Sequence, residues 1–470
     1  MRIERDFLGE IELPDDVYYG IQTTRAVNNF AVTGHKLNED FIKALAIVKL
    51  AAARANMKTG RMQNKIGVAI VQASQEIIDG QWHEQFVVDC IQGGAGTSMN
   101  MNANEVIANR ALEILGDKKG NQNLISPNNH VNMAQSTNDV IPTAIRICTI
   151  KKAAYLVEVM NSLISSFEKK AGMFNDIIKM GRTHLQDAVP ITLGQEFAAY
   201  AEALKRAVRR ISDEQRNLHS INMGATAVGT GLNAEIEYIQ YVVQEISDLT
   251  GQNFVSASNL VDATQNTDDL AAFSGVLKVT ALSLSKIAND LRLMASGPKC
   301  GLNELALPAM QPGSSIMPGK VNPVIPEMVN QVAFQVIGND HAISLAVEAG
   351  QFELNVMEPV LAYSLFNSLT IMTNAVNIFN SKCIQGIEAN EARCRELVDN
   401  SIGPITALLP HIGYELASAI AKEAQKSGKP VKEIVLAKDI ISAEHLDVIL
   451  SPTEMTRPGI AGKEYLKTAG

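Results

Sequence analysis

Residues 197–218 read FAAYAEALKRAVRRISDEQRNL, and the helical architecture of the protein is predicted from this segment. Along it, the positions spaced by three or four residues are apolar with a single polar exception. They are Phe197, Tyr200, Leu204, Ala207, Ile211, Gln215 and Leu218. This is the period of an amphipathic α-helix. A helix of about 25 to 30 residues is about 40 Å long at 1.5 Å per residue, so it buries its apolar face by packing lengthwise against other long helices.

Three further segments show the same period. One covers about residues 143–174. A second begins at the capping candidates of the acidic pair at 268–269 and stops at the Gly-Pro pair at 297–298. The third begins near Pro326 and is expected to bend near Pro359. The sequence therefore predicts a mainly α protein with a long central helix bundle, flanked by smaller N- and C-terminal domains.

The expected domain organisation is an N-terminal domain over residues 1–138, a central long-helix bundle over 139–393 and a small helical domain over 394–470. Short helical patterns separated by SIGPI, KSGKPV and LSPTEM indicate the last of these. Alanines are frequent on the central helices, which lets helices approach closely and leaves apolar surface on more than one side. Such surfaces usually pack against a partner subunit.

The composition excludes several classes of protein. Of the 470 residues, 46% are hydrophobic and 19% are charged, which argues against extended disorder. The net charge of −9 comes without a dense block of Lys and Arg, so no nucleic-acid partner is expected. The N-terminal sequence MRIERDFLGEIELPDD is too charged for a signal peptide, and no uninterrupted apolar run approaches about 18 residues. We expect a cytoplasmic protein with no membrane partner.

The cysteines are widely scattered and contain no Cys-x-x-Cys pair; they are Cys90, Cys148, Cys300, Cys383 and Cys394. This pattern favours buried free thiols in a reducing compartment over a disulfide framework or a zinc site. The chain also contains no metal-ligand cluster and no cofactor motif, so neither a metal nor a cofactor is expected.

Four polar stretches are expected to form the loops that carry the chemistry. They are GGAGTSMNMNANE at 93–105, HVNMAQSTND at 130–139, GRTHLQD at 181–187 and GSSIMPGKVNP at 313–323. Taken alone, the first three have simpler interpretations, because Ser, Thr and Asp before a helix are often only caps and an isolated histidine is more often structural. The fourth does not, because its glycines and prolines specify an irregular loop that carries serine, lysine and asparagine.

The fourth stretch resembles the signature GSSxMPxKVNP of the aspartase/fumarase superfamily, and the other three are similar to that family's remaining active-site regions in the expected order. A chance match of four ordered motifs is improbable, unlike a match to one. The resemblance covers essentially the whole chain, from RIERDFLGE to RPGIAG. It implies a homotetramer in which the long helices form a common core and each active site is assembled from three subunits.

Within this family, the details resemble the members that eliminate ammonia from aspartate more than the fumarases. QSTND at 135–139 stands where fumarases usually read QSSND, and VNPVIPE at 321–327 replaces their usual continuation into Thr-Gln-Cys-Glu. Ala134 and Ile141 are small departures, because Ser and an aromatic residue are common there. The resemblance implies reversible elimination of ammonia from L-aspartate to give fumarate through an enediolate, with aspartate, fumarate and ammonium as ligands.

The resemblance also assigns the roles of the catalytic residues. Ser314 would remove the proton as its oxyanion, a form that Lys320 and loop amides would favour. Lys320, with Asn322 and His184, would hold the carboxylate that does not react.

Other polar residues would bind the rest of the substrate. The carboxylate beside the acidic carbon gains charge during the reaction and needs hydrogen-bond donors. The donors implied for it are Thr97, Ser136, Thr137 and Ser315, with Ser98 as a further candidate. The residues implied near the amino group are Asn138, Thr183 and His184.

The sequence leaves two other functions open. Fumarate hydratase uses the same scaffold, although Thr137 and residues 324–327 favour ammonia over water as the leaving group. A non-catalytic structural protein, like the crystallin relatives of the family, is disfavoured because the polar residues that carry the chemistry are all present; they are Ser314, Lys320, His184 and Thr97.

Overall fold

The computed structural model describes residues 1–466, and α-helices dominate this part of the chain, which confirms the prediction of a mainly α protein. The longer helices of the first half are α1 Ile21–Asn29, α2 Glu39–Lys58, α3 Asn64–Ile78, α4 Thr97–Ile114, α5 Thr137–Met173, α6 Leu193–Gln215 and α7 Ile236–Thr250. They are followed by α8 Asp262–Gln265, α9 Asp268–Met294, α10 Val324–Glu348, α11 Glu358–Lys382 and α12 Glu391–Asp399. The last five are α13 Ile405–Ile412, α14 Tyr414–Ser427, α15 Val431–Ala437, α16 Ala443–Ile449 and α17 Pro452–Met455.

Eight short strands form four two-stranded sheets within residues 1–466. Three sheets are antiparallel: β1 Arg2–Asp6 with β2 Gly9–Leu13, β3 Ile178–Thr183 with β4 Gln186–Thr192, and β7 Leu305–Ala306 with β8 Glu388–Ala389. The parallel pair is β5 Ser220–Ile221 with β6 Val255–Ser256. These strands were not predicted, and the β3–β4 hairpin contains the 181–187 stretch.

The chain divides into two compact units. Unit 1 comprises Met1–Glu158, Val208–Ala281 and Val332–Thr373. Within the described residues, unit 2 comprises Val159–Ala207, Leu282–Gln331 and residues 374–466. The five longest helices each contribute residues to both units; they are α5, α6, α9, α10 and α11.

Unit 1 has its core around helix α2, which packs on α3 and α7. The helix begins because the Asn38 side chain accepts a hydrogen bond from the Asp40 amide at 3.0 Å. Phe41 of α2 then packs on Phe366 of α11, with ring centroids 5.3 Å apart. The Asn38 cap thus marks the start of α2, and Phe41 lies on its buried face.

Unit 2 contains an aromatic cluster built from three long helices. Phe167 of α5 lies 5.9 Å from the rings of both Phe197 and Tyr200 of α6, and 6.4 Å from Phe379 of α11. The apolar positions that predicted α6 are all buried, while the polar exception, Gln215, is only partly buried. The helical period therefore identified the buried face correctly.

Helix α5 begins at Thr137, before its predicted start near residue 143. Helix α9 covers Asp268–Met294 as expected. The third predicted segment does not bend at Pro359, because it is two helices: α10 ends at Glu348 and α11 begins at Glu358. Pro359 is the second residue of α11, where its missing N–H breaks no helical hydrogen bond.

Helix α9 is long and apolar enough to cross a membrane, as judged by length and composition alone. It also carries charged side chains that pair within the protein: Lys278 contacts Asp340 at 2.6 Å, and Lys286 pairs with Asp290. Because charged groups in a membrane span are costly, these pairs are more typical of a core helix in a bundle.

All five cysteines are free. Four are buried, as the sequence predicted, and burial raises the pKa of the Cys90 thiol to about 11. Cys300 is exposed, so the prediction of buried thiols is wrong for this residue. It follows the Gly-Pro pair that ends α9, where the chain has left the helix bundle.

Candidate active site

The glycine-rich stretch turns sharply into helix α4. Gly94, Ala95 and Gly96 all have positive φ, and the helix begins at Thr97. Only residues 93–96 are therefore a loop, and the expectation of a loop up to residue 105 is wrong. The Thr97 amide donates to the Gly94 carbonyl at 2.9 Å and the Asn100 amide donates to the Gly96 carbonyl at 3.0 Å, so the turn leads directly into the helical hydrogen bonds of α4. Thr97 is exposed, and its hydroxyl donates to the Gly94 carbonyl at 2.7 Å.

Gly96 also permits close packing against helix α5. A Cβ at this position would lie 3.0 Å from Cγ1 of Ile141, which is tighter than ordinary contact. Ile141 is the residue at which the family commonly has an aromatic side chain. A small residue at 96 and a branched aliphatic one at 141 therefore fit each other.

Ser136, Thr137 and Asn138 lie at the start of helix α5, where Asp139 holds them against a second loop. Asp139 Oδ1 accepts from the Ser136 amide at 2.9 Å, and Oδ2 accepts from the amides of Gly224 and Thr226 at 3.2 and 3.0 Å. Burial raises the pKa of Asp139 to about 6, although these amides favour the carboxylate. This bridging role of Asp139 was not predicted from the sequence, because an acidic residue among candidate helix caps does not indicate which distant amides it will bind.

Asn138 makes a further link between the same two loops. Its Nδ2 donates to the Ala227 carbonyl at 2.6 Å, and its backbone N–H donates to Ser136 Oγ at 3.2 Å. The Asn138 carbonyl accepts from Asn222 Nδ2 at 3.0 Å. Residues 222–227 are thus part of the site's framework.

A buried lysine organises the residues just before Ser136. Lys49 of helix α2 is fully buried, and its Nζ donates to Asn132 Oδ1 at 3.0 Å and to Gln135 Oε1 at 2.9 Å. Burial lowers the pKa of Lys49 to about 7, an effect that the nearby Asp139 carboxylate opposes. Sequence reasoning did not single out Lys49, because a lysine inside an apolar helical pattern usually extends to solvent.

The same cluster joins α4 to the start of α5. Asn100 Nδ2 lies 3.2 Å from both Asn132 Oδ1 and Thr137 Oγ1, and Asn104 Nδ2 lies 3.2 Å from Asn132 Oδ1. The contact of Asn100 with Thr137 fixes the Thr137 hydroxyl relative to the helix that begins at Thr97. Two of the four predicted stretches are therefore brought together in unit 1.

A cleft of about 640 Å³ opens beside this cluster in unit 1. Ser136 and Thr137 line it together with Asn132, Thr226 and Tyr238. Most of these side chains carry hydroxyl or amide groups, which suits a small polar ligand.

In unit 2, Thr183 and His184 lie at the tip of the β3–β4 hairpin. Thr183 pairs with Gln186, so His184 and Leu185 form a two-residue turn, and both have positive φ, at 55° and 60°. Hairpin turns of this kind normally contain Asn or Gly, so His and Leu here imply backbone strain. The tip is exposed, and it presents the imidazole of His184 outward.

The 313–323 stretch is an irregular loop, as predicted. The Gly313 amide donates to the Lys320 carbonyl at 2.7 Å, and Asn322 Nδ2 donates to the Gly313 carbonyl at 2.8 Å, so the two ends of the loop are tied together. Ser315 and Lys320 are exposed on it.

Ser314 is held in a specific way inside this loop. Its Oγ accepts hydrogen bonds from the amides of Ile316 at 3.2 Å and Met317 at 3.1 Å. Amides that donate to an oxygen favour its anionic form. This is the local stabilisation that a serine oxyanion needs.

The predicted site residues fall into two groups. Unit 1 holds Thr97, Ser98, Ser136, Thr137 and Asn138. Unit 2 holds Thr183, His184, Ser314, Ser315, Lys320 and Asn322. Across residues 1–466, no three His, Cys, Asp or Glu side chains are grouped so that they could hold a metal ion.

Comparisons with known proteins agree with these features. A family model described as lyase matches residues 9–338, and one described as fumarase C C-terminus matches residues 405–457. The aspartate ammonia-lyase of Bacillus subtilis (strain 168) is 60% identical over 99% of this chain and 98% of that protein. The aspartate ammonia-lyase of Escherichia coli (strain K12) is 47% identical over 99% of this chain and 98% of that protein.

Solved structures show the same similarity. The fumarate lyase:delta crystallin of Brucella melitensis has a TM-score of 0.95 and 49% identity, and the match covers 97% of this chain and all of that one. The class II fumarase of Schistosoma mansoni has a TM-score of 0.93 and 37% identity, with 97% and 99% of the two chains covered. Both the sequence and the fold extend over nearly the full length of these relatives, and the chain therefore belongs to the aspartase/fumarase superfamily of lyases.

Proposed function

We propose that this protein is a carbon–nitrogen lyase that reversibly eliminates ammonia from L-aspartate to give fumarate. Curated relatives with that activity are 47% to 60% identical to it over nearly the whole chain. The observation in the site that carries the proposal is the pair of amide hydrogen bonds to Ser314 Oγ. A serine held in this way can serve as a base, which is the group that the reaction requires first.

The reaction begins with removal of a proton from the carbon beside one carboxylate. Ser314, as its oxyanion, takes this proton, and the electron pair moves into the carboxylate to form an enediolate that carries an extra negative charge. The pair then returns to form the double bond, the carbon–nitrogen bond breaks, and ammonia leaves. Stabilising the enediolate is the main task of the site.

Neutral donors around the cleft fit that task. Thr97 and Ser98 begin α4, and Ser136 and Thr137 line the cleft of unit 1. With Ser315 they form the proposed set that binds the carboxylate as its charge grows. Asn138, Thr183 and His184 are assigned to the amino group.

Lys320 and Asn322 are assigned to the other carboxylate, together with His184. The lysine is exposed on the same tied loop as Ser314, so closure of this loop over the substrate would bring a cation to the carboxylate and exclude water.

We further propose that the protein acts as a cytoplasmic homotetramer in which three subunits supply each site. Support comes from large apolar side chains exposed on the long helices, among them Phe334, Leu345 and Leu282, which are 64%, 57% and 50% exposed. Apolar side chains in such numbers on a bundle usually lie against another subunit.

The domain boundaries at residues 138 and 393 stay a proposal that limited proteolysis can test.

One assay tests the reaction directly. The protein is incubated with fumarate plus ammonium, and separately with fumarate in ammonium-free buffer, while the ultraviolet absorbance of fumarate is followed. We expect aspartate in the first reaction and no malate in the second. Malate in the second reaction would instead identify a fumarate hydratase. This is the alternative function to test, because the structure is also similar to that of a class II fumarase.

A further inference from the structure

Asn100 lies one turn into helix α4 and is almost completely buried. We infer that Asn100 is a positioning residue: it makes the Thr137 hydroxyl accept a hydrogen bond from the protein, so that the single hydrogen of that hydroxyl is left for the substrate. This inference rests on the proposed function, in which Thr137 donates to the substrate carboxylate.

The direction of this hydrogen bond is set by Lys49. An ammonium group has three hydrogens and no lone pair, so Lys49 Nζ donates to both of its neighbours, and the atom of Asn132 that faces it is the oxygen. Asn132 Nδ2 then donates to the Gln135 carbonyl at 3.2 Å, which agrees with this orientation.

Asn132 in turn fixes the orientation of Asn100. The Asn132 oxygen lies 3.2 Å from the nearest amide atom of Asn100, so that atom is Nδ2, since the reverse orientation would place two carbonyl oxygens face to face. The same Nδ2 lies 3.2 Å from Thr137 Oγ1. A buried amine on α2 thus determines, through two amides, which role the Thr137 hydroxyl plays.

The hydroxyl that results is a prepared donor. It has one hydrogen and two lone pairs, and one lone pair accepts from Asn100. Within residues 1–466 its own hydrogen reaches no acceptor, and Thr137 lines the cleft of unit 1. A carboxylate that enters the cleft therefore meets a donor that needs no reorientation.

The test reverses the direction of the hydrogen bond. Asn100→Asp keeps the shape of the side chain but replaces the donor by an acceptor, so Thr137 donates to residue 100 instead of the substrate. We expect kcat/KM for aspartate to fall by about 30-fold or more, the effect of one lost hydrogen bond to a charged group.

Asn104→Asp is the matched control, because Asn104 is equally buried and contacts the same oxygen of Asn132 but does not reach Thr137. It should stay within about threefold of wild type, and an equal loss in both variants would overturn the inference.

A double-mutant cycle separates polarity from charge. In a Thr137→Val background the hydroxyl is absent, so Asn100→Asp should change kcat/KM by less than about threefold. If the new carboxylate acts only by repelling the substrate, the 30-fold loss will persist in that background, and the inference fails.

Two further measurements keep the test decisive. If Asn100→Asp does not fold, Asn100→Ala removes the donor without reversing it and should lower kcat/KM by less than about tenfold; a loss of 30-fold or more would contradict the inference.

The dissociation constant of succinate, an unreactive dicarboxylate, provides a readout that does not depend on turnover. A wild-type protein that binds succinate but does not form aspartate would refute the proposed function, while the effect of Asn100→Asp on succinate binding would still test the role of Asn100.

Discussion

Three hydroxyls of the candidate site accept hydrogen bonds from the protein. Ser136 Oγ accepts from the Asn138 amide, Thr137 Oγ1 from Asn100, and Ser314 Oγ from two loop amides. A hydroxyl used in this way keeps its hydrogen for another partner. Thr97 differs, because its hydrogen already goes to the Gly94 carbonyl. Its hydroxyl hydrogen must turn away from that carbonyl before it can be donated to a substrate.

At Ser314 the proposed role is directly testable. Ser314→Ala removes the base but none of the proposed carboxylate donors, so kcat should fall by at least about 1,000-fold while the dissociation constant of succinate changes by less than about threefold. Steady-state kinetics and calorimetry measure the two quantities. Turnover within about tenfold of wild type would show that another group is the base.

At Lys49 the prediction concerns stability and pH. The pKa of Lys49 is lowered to about 7 by burial, whereas a lysine in an unfolded chain titrates near about 10.4. Between these values the unfolded state binds more protons, so the contribution of Lys49 to the free energy of unfolding rises with pH. The Tm of wild type minus the Tm of Lys49→Met should therefore increase by several degrees from pH 7 to pH 10.

The control for this experiment is Lys36→Met, which removes an exposed lysine close to the start of helix α2. It should follow the wild-type pH dependence, because it removes an exposed charge and no buried one. A Tm difference for Lys49→Met that does not change with pH would mean that Lys49 is solvated in the native protein.

At the scale of elements, helical periodicity predicted the long helices well. Helix α9 has its predicted limits, and the buried face of α6 is the predicted one. Helix α4 was missed because its asparagines resemble a polar loop, and only the structure shows that Asn100 and Asn104 are buried and paired with Asn132. The β3–β4 hairpin was missed because its turn residues, His184 and Leu185, are not those that usually mark a hairpin.

The irregular loop at 313–323 was predicted from its unusual local composition. The roles of Ser314 and Lys320 come from the family motifs and stay predictions. Lys49 and Asp139 were not identified from the sequence, because their importance comes from burial and from partners distant in the sequence. Periodicity assigns a face to each residue but does not reveal which polar side chains meet inside the fold.

The turn before α4 gives a prediction at the scale of elements. Gly96→Ala combines an unfavourable positive φ with a Cβ 3.0 Å from Ile141, so it should lower the free energy of unfolding by about 2 kcal/mol or more and also reduce kcat/KM, because it displaces the start of α4. Chemical denaturation and steady-state kinetics measure both effects.

Gly94→Ala is its matched control. Gly94 also has positive φ, but its added Cβ would come no closer than 3.9 Å to Thr97, so only the backbone cost of about 1 kcal/mol is expected. Equal losses for the two variants would show that contact with Ile141 has no importance.

At the scale of the whole molecule, the proposed tetramer shares each site between chains. Ser136→Ala and Ser314→Ala chains should each be inactive alone. If the two residues of a site come from different subunits, mixed tetramers regain sites with both serines intact. With random mixing in equal amounts, each serine of a site is intact in about one half of the sites. Both are therefore intact in about one quarter of the sites, and activity should return to about one quarter of the wild-type value.

A second mixture controls for artefacts of reassembly. Ser314 and Lys320 belong to one tied loop, so a Ser314→Ala chain mixed with a Lys320→Met chain places one defect in every site. This mixture should stay inactive. Light scattering shows whether tetramers have re-formed in each mixture. If they have, and the mixture of Ser136→Ala and Ser314→Ala chains does not regain activity, the two residues of a site do not come from different subunits.

The exposure of Cys300 has a practical consequence. Because the other four cysteines are buried, a maleimide dye should label each chain at one natural position without engineering. Single particles that carry such dyes lose fluorescence in discrete steps, and the number of steps counts the chains in each particle. A thiol that contributes nothing to the proposed chemistry thus offers a direct way to count subunits in solution.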